Sequence, residues 1–567
     1  MKKTLTLCLL FLLVQSANLC AQKESGLSPV TNTYALKDVR IIQKPGQMIE
    51  VGTVIVKDGL IHAVGTNVEI PANAKVLEAD SMYVYAGFID GLSHIGIPKP
   101  ESKEEDGNRR RRESNSANPT YERAGIQPEI QARDVLSAKN KSIAEMRKLG
   151  FTAAHSVPRG KMLPGNGALI LLSGETADEM VLKSGVSLFS QFKGGGGVYP
   201  GTLIAVMSKF RELYGQAEQA KAHKSKYANN QIGLTRPNNN RVLEAFYPVI
   251  DGKIPVYYEA PKMKDMHRVF TLQKELGFPL VLSNLKQGWY LADKIKSTNT
   301  KVLLSLDLPD VKDEEKKNDK DKKPEKEGEV KFVQAELELA EFKKRQQESL
   351  KMYRSQAATF ETKGIQFGFS SMDAKSGDIR KNLRTMIKNG LSENAALAAL
   401  TTNAAQQLGV SNSMGTVEKG KIANLVVSDK PYFAEKSNVR FVVVDGKVFE
   451  YEVKKKKKGD PNAKVDIAGS WTYEIFVPGM EISGVLTLKN EDGEVSGSMT
   501  MAQGEGSEDI RNAVLDGDVL TFESTATPGD APMKISFELT VDGESIEGTV
   551  NVGEFGTFEV KGDKVPE

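Results

Sequence analysis

The feature that most constrains the fold is an alternation of two hydrophobic periods between residues 86 and 414. Short apolar runs, rich in β-branched and aromatic residues, recur as YVYAGFID (83–90), GFTAAHSVP (150–158), GALILLSG (167–174), KIPVYYEA (253–260), FPLVLSN (278–284), TKVLLSLDLP (300–309) and GIQFGFSS (364–371). At 264–276, 331–361 and 379–389 the apolar period lengthens to that of a helix. Strands covered on both faces read as continuous apolar runs, and strands alternating with helices imply crossover connections and a parallel sheet. The pattern therefore predicts an α/β fold, a (β/α)8 barrel of the TIM type.

The flanks read differently. Residues 33–85 are short strands and turns, with a hairpin signal at Asp58-Gly59 inside GTVIVKDGLIHAVG (52–65). His62 falls on the second of these strands and is expected on a sheet surface. Strands return at 415–430 and 439–453, and KKKKKGDPNAK (454–464) reads as a linker. Residues 465–567 alternate apolar and polar, with Asp-Gly turns at 492–493, 516–517 and 542–543, which predicts a separate antiparallel β-barrel or sandwich. Two polar segments, 99–123 and 310–330, interrupt the barrel pattern and read as solvated loops, Arg109 to Arg112 included.

A length of 567 residues implies more than one domain. Only two more basic than acidic residues, 76 against 74, argue against a nucleic-acid partner. Lys2, Lys3 and the apolar stretch LTLCLLFLLV (5–14) form a secretion signal, with cleavage expected after Ala21. The chain is thus expected to be exported, to the periplasm or the extracellular space. A lipid anchor on Cys20 is the rival reading, disfavoured by the bulky Leu19 before it. No apolar run is long enough for a transmembrane segment. Both cysteines, Cys8 and Cys20, precede the expected cut, so disulfides and thiolate ligands are excluded from the mature chain.

Several pieces resemble the amidohydrolase superfamily, most closely its imidazolonepropionase-like branch. They are VKDGLIHAVG, AGFIDGLSHIG (86–96), GLSENAALAALTTNAAQQLGV (390–410), and GTVEKGKIANLVVSD followed by VVVDGK. The resemblance spans 33–453, about three quarters of the chain. It implies that 22–85 and 415–453 join into one composite small β-sandwich beside a barrel over 86–414. It also implies a divalent metal, held by two histidines at i and i+2 of the first strand and by histidines of later strands. Alternate residues of a strand share a face, so such a pair can hold one ion. The ion generates hydroxide near neutral pH, and an aspartate after the last strand handles the proton.

Carried over position by position, that implied set is depleted. Asp90 and His94 are present, but Leu92 stands where the first histidine would be. Glu259 replaces the histidine of the fifth strand, Ser283 or Asn284 that of the sixth, and Met372 stands at the aspartate with Asp373 directly after it. The metal candidates are therefore His94, Glu259 and Asp90, with Asp373 as the catalytic candidate. One imidazole with carboxylates suits a weak divalent site, Zn or Mn, better than a tight zinc site. His155 reads as a pocket-wall histidine with an acid/base role left open, and His223 and His267 as surface residues. The glycine run in KGGGGVYPGTLIAV, starting at 193, reads as a loop over the barrel mouth, with anion binding as the alternative. DIAGSWTYEI, starting at 466, is similar to the first strand of a lipocalin-like barrel.

Two functions follow. One is an exported hydrolase acting on C–N bonds, amide or cyclic amide, of a small-molecule substrate. The other is a non-catalytic binding or scaffold protein on the same fold.

Overall fold

The computed structural model describes residues 32–99, 115–309 and 333–452, and residues 465–565 apart from five short stretches. The expected signal segment with Cys20, the Arg109–Arg112 run, the whole of 310–330 and the 454–464 linker lie outside the described residues. The chain divides into two compact units between Glu452 and Val453.

The first unit contains an eight-stranded sheet ordered along the chain: Phe88–Ser93, Phe151–Ser156, Gly165–Leu171, Val181–Gln191, Val256–Glu259, Leu280–Leu285, Lys301–Ser305 and Phe367–Ser370. They are called the first to eighth barrel strands below. The sheet comes back on itself where Ser370 Oγ donates to the Leu92 carbonyl at 2.7 Å. The Ser371 amide and hydroxyl both donate to the Asp90 carboxylate across the same seam.

Three sequence expectations are corrected. The sheet is not wholly parallel, because the third strand runs antiparallel to both neighbours. Only residues 157–164 connect the second strand to the third. A parallel return needs a crossover of about a dozen residues or more, so this short link forces a reversal. The fourth strand, Val181–Gln191, was absent from the strands expected from sequence. Its first half, VLKSGV, is exposed to half-buried and lacks the continuous apolar run.

The run 83–90 is also two strands rather than one. Tyr83–Ala86 belongs to the small sheet, pairing with Thr33–Lys44 and Leu425–Ser428, while Phe88 opens the barrel. Gly87 is the hinge between them. A Cβ there would fall 2.1 Å from Thr152 Oγ1 on the second barrel strand, so no other residue fits. The small sheet holds eight strands drawn from residues 33–86 and 425–450, around a core that includes Leu36, Val54, Leu425 and Phe441.

Helices cover the outside of the barrel. The helix Leu203–Asn229 buries Val206, Phe210, Leu213, Tyr214 and Ala217, a one-sided stripe at helical spacing. Thr202 caps it by accepting from the Ala205 amide. Phe210 meets Phe278 at 5.7 Å and Tyr258 of the fifth strand at 5.8 Å between ring centres. Each such large apolar side chain removed from water stabilises the unit by roughly 1.5–3 kcal/mol. No helix among the described residues is long and apolar enough to cross a membrane.

The second unit is all-β, a nine-stranded antiparallel sheet from Gly469–Val477 to Thr557–Asp563. Trp471 is fully buried and donates from Nε1 to the Ile467 carbonyl at 2.9 Å. Its core includes Phe522 stacked on Phe537 with ring centres 4.7 Å apart.

Candidate active site

The carboxyl ends of the barrel strands bring a compact polar cluster together. Glu259 ends the fifth strand, in register with Gln191 of the fourth and Ser283 of the sixth. The sixth strand bulges after Leu282, and Asn284 takes a left-handed backbone with φ 57°. Asparagine tolerates that conformation better than most residues. Asn284 Nδ2 donates to Glu259 Oε1 at 3.1 Å and to Asp373 Oδ2 at 2.8 Å, bridging two carboxylates from different strands.

Lys286 follows two residues later. Its backbone amide is pinned by the Pro261 carbonyl of the preceding loop at 3.1 Å. Its ammonium lies 2.5 Å from Asp307 Oδ2 and 3.2 Å from Asp373 Oδ2, joining the seventh and eighth strand ends. Lys193, just past the fourth strand, stands 3.8 Å from Glu259 Oε2. Lys193 is largely exposed, so that contact is the weakest of the set.

The protonation states follow from these neighbours. Burial pushes the Glu259 carboxyl above its ordinary value; Lys193 opposes this and Asp373 adds to it. Burial acts upward on Asp373 too, but the Asn284 hydrogen bond and the Lys286 charge prevail and hold it below the ordinary range. Burial works against the Lys286 ammonium, yet its bond to Asp307 and the Asp373 charge leave it raised. Lys286 is therefore charged at neutral pH.

His94 sits beside this cluster. Its Nδ1 lies 2.8 Å from the Val157 carbonyl, which can only accept, so Nδ1 carries the proton. Burial, helped by Arg159 and Lys193, pushes its pKa down to about 4 against the opposing Val157 bond. The ring is thus neutral at pH 7 with the Nε2 lone pair bare.

The other candidates are placed elsewhere. Asp90 is fully buried and accepts from the Leu92 amide and from Ser371, so its oxygens tie the first strand to the eighth. Burial pushes its carboxyl up to about 7 despite those bonds. Leu92 is fully buried core. His155 is also fully buried, with Nδ1 on the Gly91 carbonyl at 3.0 Å and Nε2 on Ser187 Oγ at 2.8 Å. Both ring nitrogens are used inside the barrel, so it is a structural histidine. A Cβ at Gly167 would lie 2.2 Å from its Nε2. His62, His223 and His267 are not part of the cluster.

Three members were missed in the sequence: Lys193, Lys286 and Asp307. All lie within three residues of a barrel strand end, in SQFK, SNLK and LSLD. That position marks functional residues in barrels, and it was the available signal. A cleft of about 680 Å³ opens on Lys286 and Asp307, walled by Phe342, Arg345 and Tyr353 of the helix Val333–Thr362. Its size is that of a small-molecule site. A second cleft, of about 700 Å³, lies past Phe192, Lys262 and Tyr290.

A divalent ion needs several lone pairs converging on one point. Among the described residues no group of three or more His, Cys, Asp or Glu side chains is so arranged. Asp373 Oδ2 and Glu259 Oε1 instead accept N–H bonds from Lys286 and Asn284. As arranged, the donor set does not fit a resident metal.

Comparison with known proteins agrees with the fold. The amidohydrolase family model matches residues 347–449, from the helix before the eighth strand into the small sheet. A dihydroorotase from Anaeromyxobacter dehalogenans is 38% identical over 65 residues, 12% of this chain and 15% of that protein. The match thus spans far less than two thirds of that relative's length. The crystal structure of an amidohydrolase from Thermotoga maritima superposes with a TM-score of 0.58 at 20% identity, covering 74% of this chain and 100% of that one. At that identity the likeness is one of fold. The first unit is therefore built on the amidohydrolase fold, and residues 347–449 carry that family's sequence pattern.

Proposed function

We propose that this chain is a hydrolase of the amidohydrolase type, cleaving an amide or cyclic-amide C–N bond of a small substrate at the barrel mouth. The observation that carries this reading is the cluster Glu259, Asn284, Lys286, Asp307 and Asp373, gathered from four strand ends beside a cleft of small-molecule size. Glu259 is the group whose pKa moves toward the working pH, so it is the better proton acceptor. His94 and Asp373 move the other way and hold poor bases. Water attacks the carbonyl carbon as Glu259 takes its proton. The oxyanion is met by the Lys286 ammonium, and the tetrahedral species expels the amine with that proton returned. Asp373 and Asp307 position the ammonium. The aspartate expected to handle the proton thus becomes a positioning residue in this reading.

The test is a panel of amides, cyclic ureides and N-acyl amino acids, with Glu259→Gln as the control. Turnover of one class, lost by at least about a hundredfold in Glu259→Gln with KM little changed, supports the proposal. Turnover that survives Glu259→Gln defeats the assignment of the base.

A second reading, a non-catalytic binding protein, is favoured by Leu92 and Met372 at positions where the resemblance implies metal chemistry. It predicts ligand binding in calorimetry with no product formed. Export is proposed on the 1–21 pattern. Sequencing the amino terminus of the secreted fraction should begin at Gln22, and retention of Met1 would refute it.

A further inference from the structure

We infer that the Lys286 ammonium is the resident cation of this site, occupying by electrostatics the place that a divalent metal would need. An ion at the mouth would draw on His94, Glu259 and Asp373. The Asp373 Oδ2 lone pairs already face Lys286 Nζ at 3.2 Å and Asn284 Nδ2 at 2.8 Å. Glu259 Oε1 faces the same amide at 3.1 Å, with the Lys193 ammonium on its other oxygen at 3.8 Å. N–H donors and a metal compete for the same electron pairs, and the metal must approach to about 2.0–2.2 Å. A second positive charge a few ångströms from a fixed ammonium is also repelled.

Lys286 is built in rather than draped over the site. Its side chain is only 25% exposed, its backbone is fixed on Pro261, and two carboxylates from different strands hold its nitrogen. The second histidine nitrogen source nearby, His155, has both its nitrogens committed inside the barrel. The cluster therefore carries two ammonium groups against the carboxylates of Glu259, Asp307 and Asp373, and it is largely charge-compensated without an ion. Lys286 also lines the 680 Å³ cleft, so the same ammonium faces whatever binds there. Its role toward a developing oxyanion rests on the hydrolase reading, whereas its exclusion of a metal does not.

The test uses the full mature chain, with no substrate. Wild type, Lys286→Met and Lys286→Arg are equilibrated with Mn2+ or Zn2+, freed of unbound ion, and read by elemental analysis and titration calorimetry. Methionine keeps an unbranched side chain one atom shorter and removes the charge, and arginine keeps the charge. Wild type and Lys286→Arg should retain less than about a tenth of an equivalent of either ion, and Lys286→Met should bind Mn2+ at least about tenfold more tightly. Circular dichroism establishes that each variant is folded, and Lys286→Gln replaces Lys286→Met if the latter does not fold. One tightly held ion per wild-type chain would overturn the inference while leaving the hydrolase proposal standing. No gain in affinity in a folded, charge-free variant would overturn it equally. Absence of turnover on every amide tested would defeat the hydrolase reading and leave this one intact.

Discussion

Replacing Asn284 by Asp tests the architecture of the site most directly. The two side chains are nearly isosteric, and both tolerate the left-handed backbone that Asn284 adopts at φ 57°. The change removes the donor that bridges Glu259 at 3.1 Å and Asp373 at 2.8 Å and puts a third carboxylate there. Two full charges about 3 Å apart repel by about 5 kcal/mol at an effective dielectric near 20, and the new carboxylate meets two others, so the folded protein takes up a proton instead. Protonating a carboxyl of ordinary pKa, about 3.9, costs about 5.5 kcal/mol at pH 8 and about 1.5 kcal/mol at pH 5. Asp373 is 39% exposed, and solvent screening trims these figures to about 3 and about 1 kcal/mol.

The sign is that of an acid whose pKa is raised on folding. The unfolded chain releases its proton first, so the variant loses stability relative to wild type as pH rises from about 4. Each unit has one tryptophan, Trp289 in the first and Trp471 in the second. Urea unfolding can therefore be followed through Trp289 in a Trp471→Phe background shared by both proteins. A variant as stable as its parent at pH 8, or a loss that does not change between pH 5 and pH 8, would refute the bridging geometry.

Further predictions concern the barrel beneath the site. Gly167→Ala places a Cβ 2.2 Å from His155 Nε2 and should destabilise the first unit by about 1–3 kcal/mol in thermal or urea unfolding. Asp90, pushed up to about 7 by burial, favours the folded state below that pH, an advantage lost as pH rises from about 4 through about 7. Wild type should therefore lose stability relative to Asp90→Asn across that window, and parallel pH curves would contradict it. His94 should be neutral and protonated on Nδ1 from pH 5.5 to 8 by nitrogen NMR, since its pKa is about 4. A titration near 6.5 would show that its ring is not buried as described.

Much of the fold was legible because burial on both faces writes itself into a strand as a continuous apolar run. Seven of the eight barrel strands stood out this way. The fourth did not, because its first half, Val181–Val186, lies at the barrel's edge, exposed to half-buried. The direction of the third strand was implicit in the short 157–164 link, but apolar periodicity carries no sense of direction. In the site, Glu259 could be found from a motif position implied by the family resemblance, and Asp373 from the residue after one. Asp90 could be found the same way, yet its oxygens face Ser371 rather than the cluster. Lys286 and Asp307 matched no motif.

The sequence by itself determined the alternation of strands and helices, the split between a barrel and an all-β carboxyl-terminal unit, and which residue types stand at the strand ends. These are properties of residue type and spacing, which local sterics and burial translate directly into structure. Only the tertiary structure decided which of those strand-end residues meet. Asn284, Lys286, Asp307 and Asp373 are separated by up to 89 residues, and a closed sheet brings their strand ends within hydrogen-bonding distance. Charge compensation depends on distance across the barrel mouth, and distance across the chain is the quantity a sequence does not record.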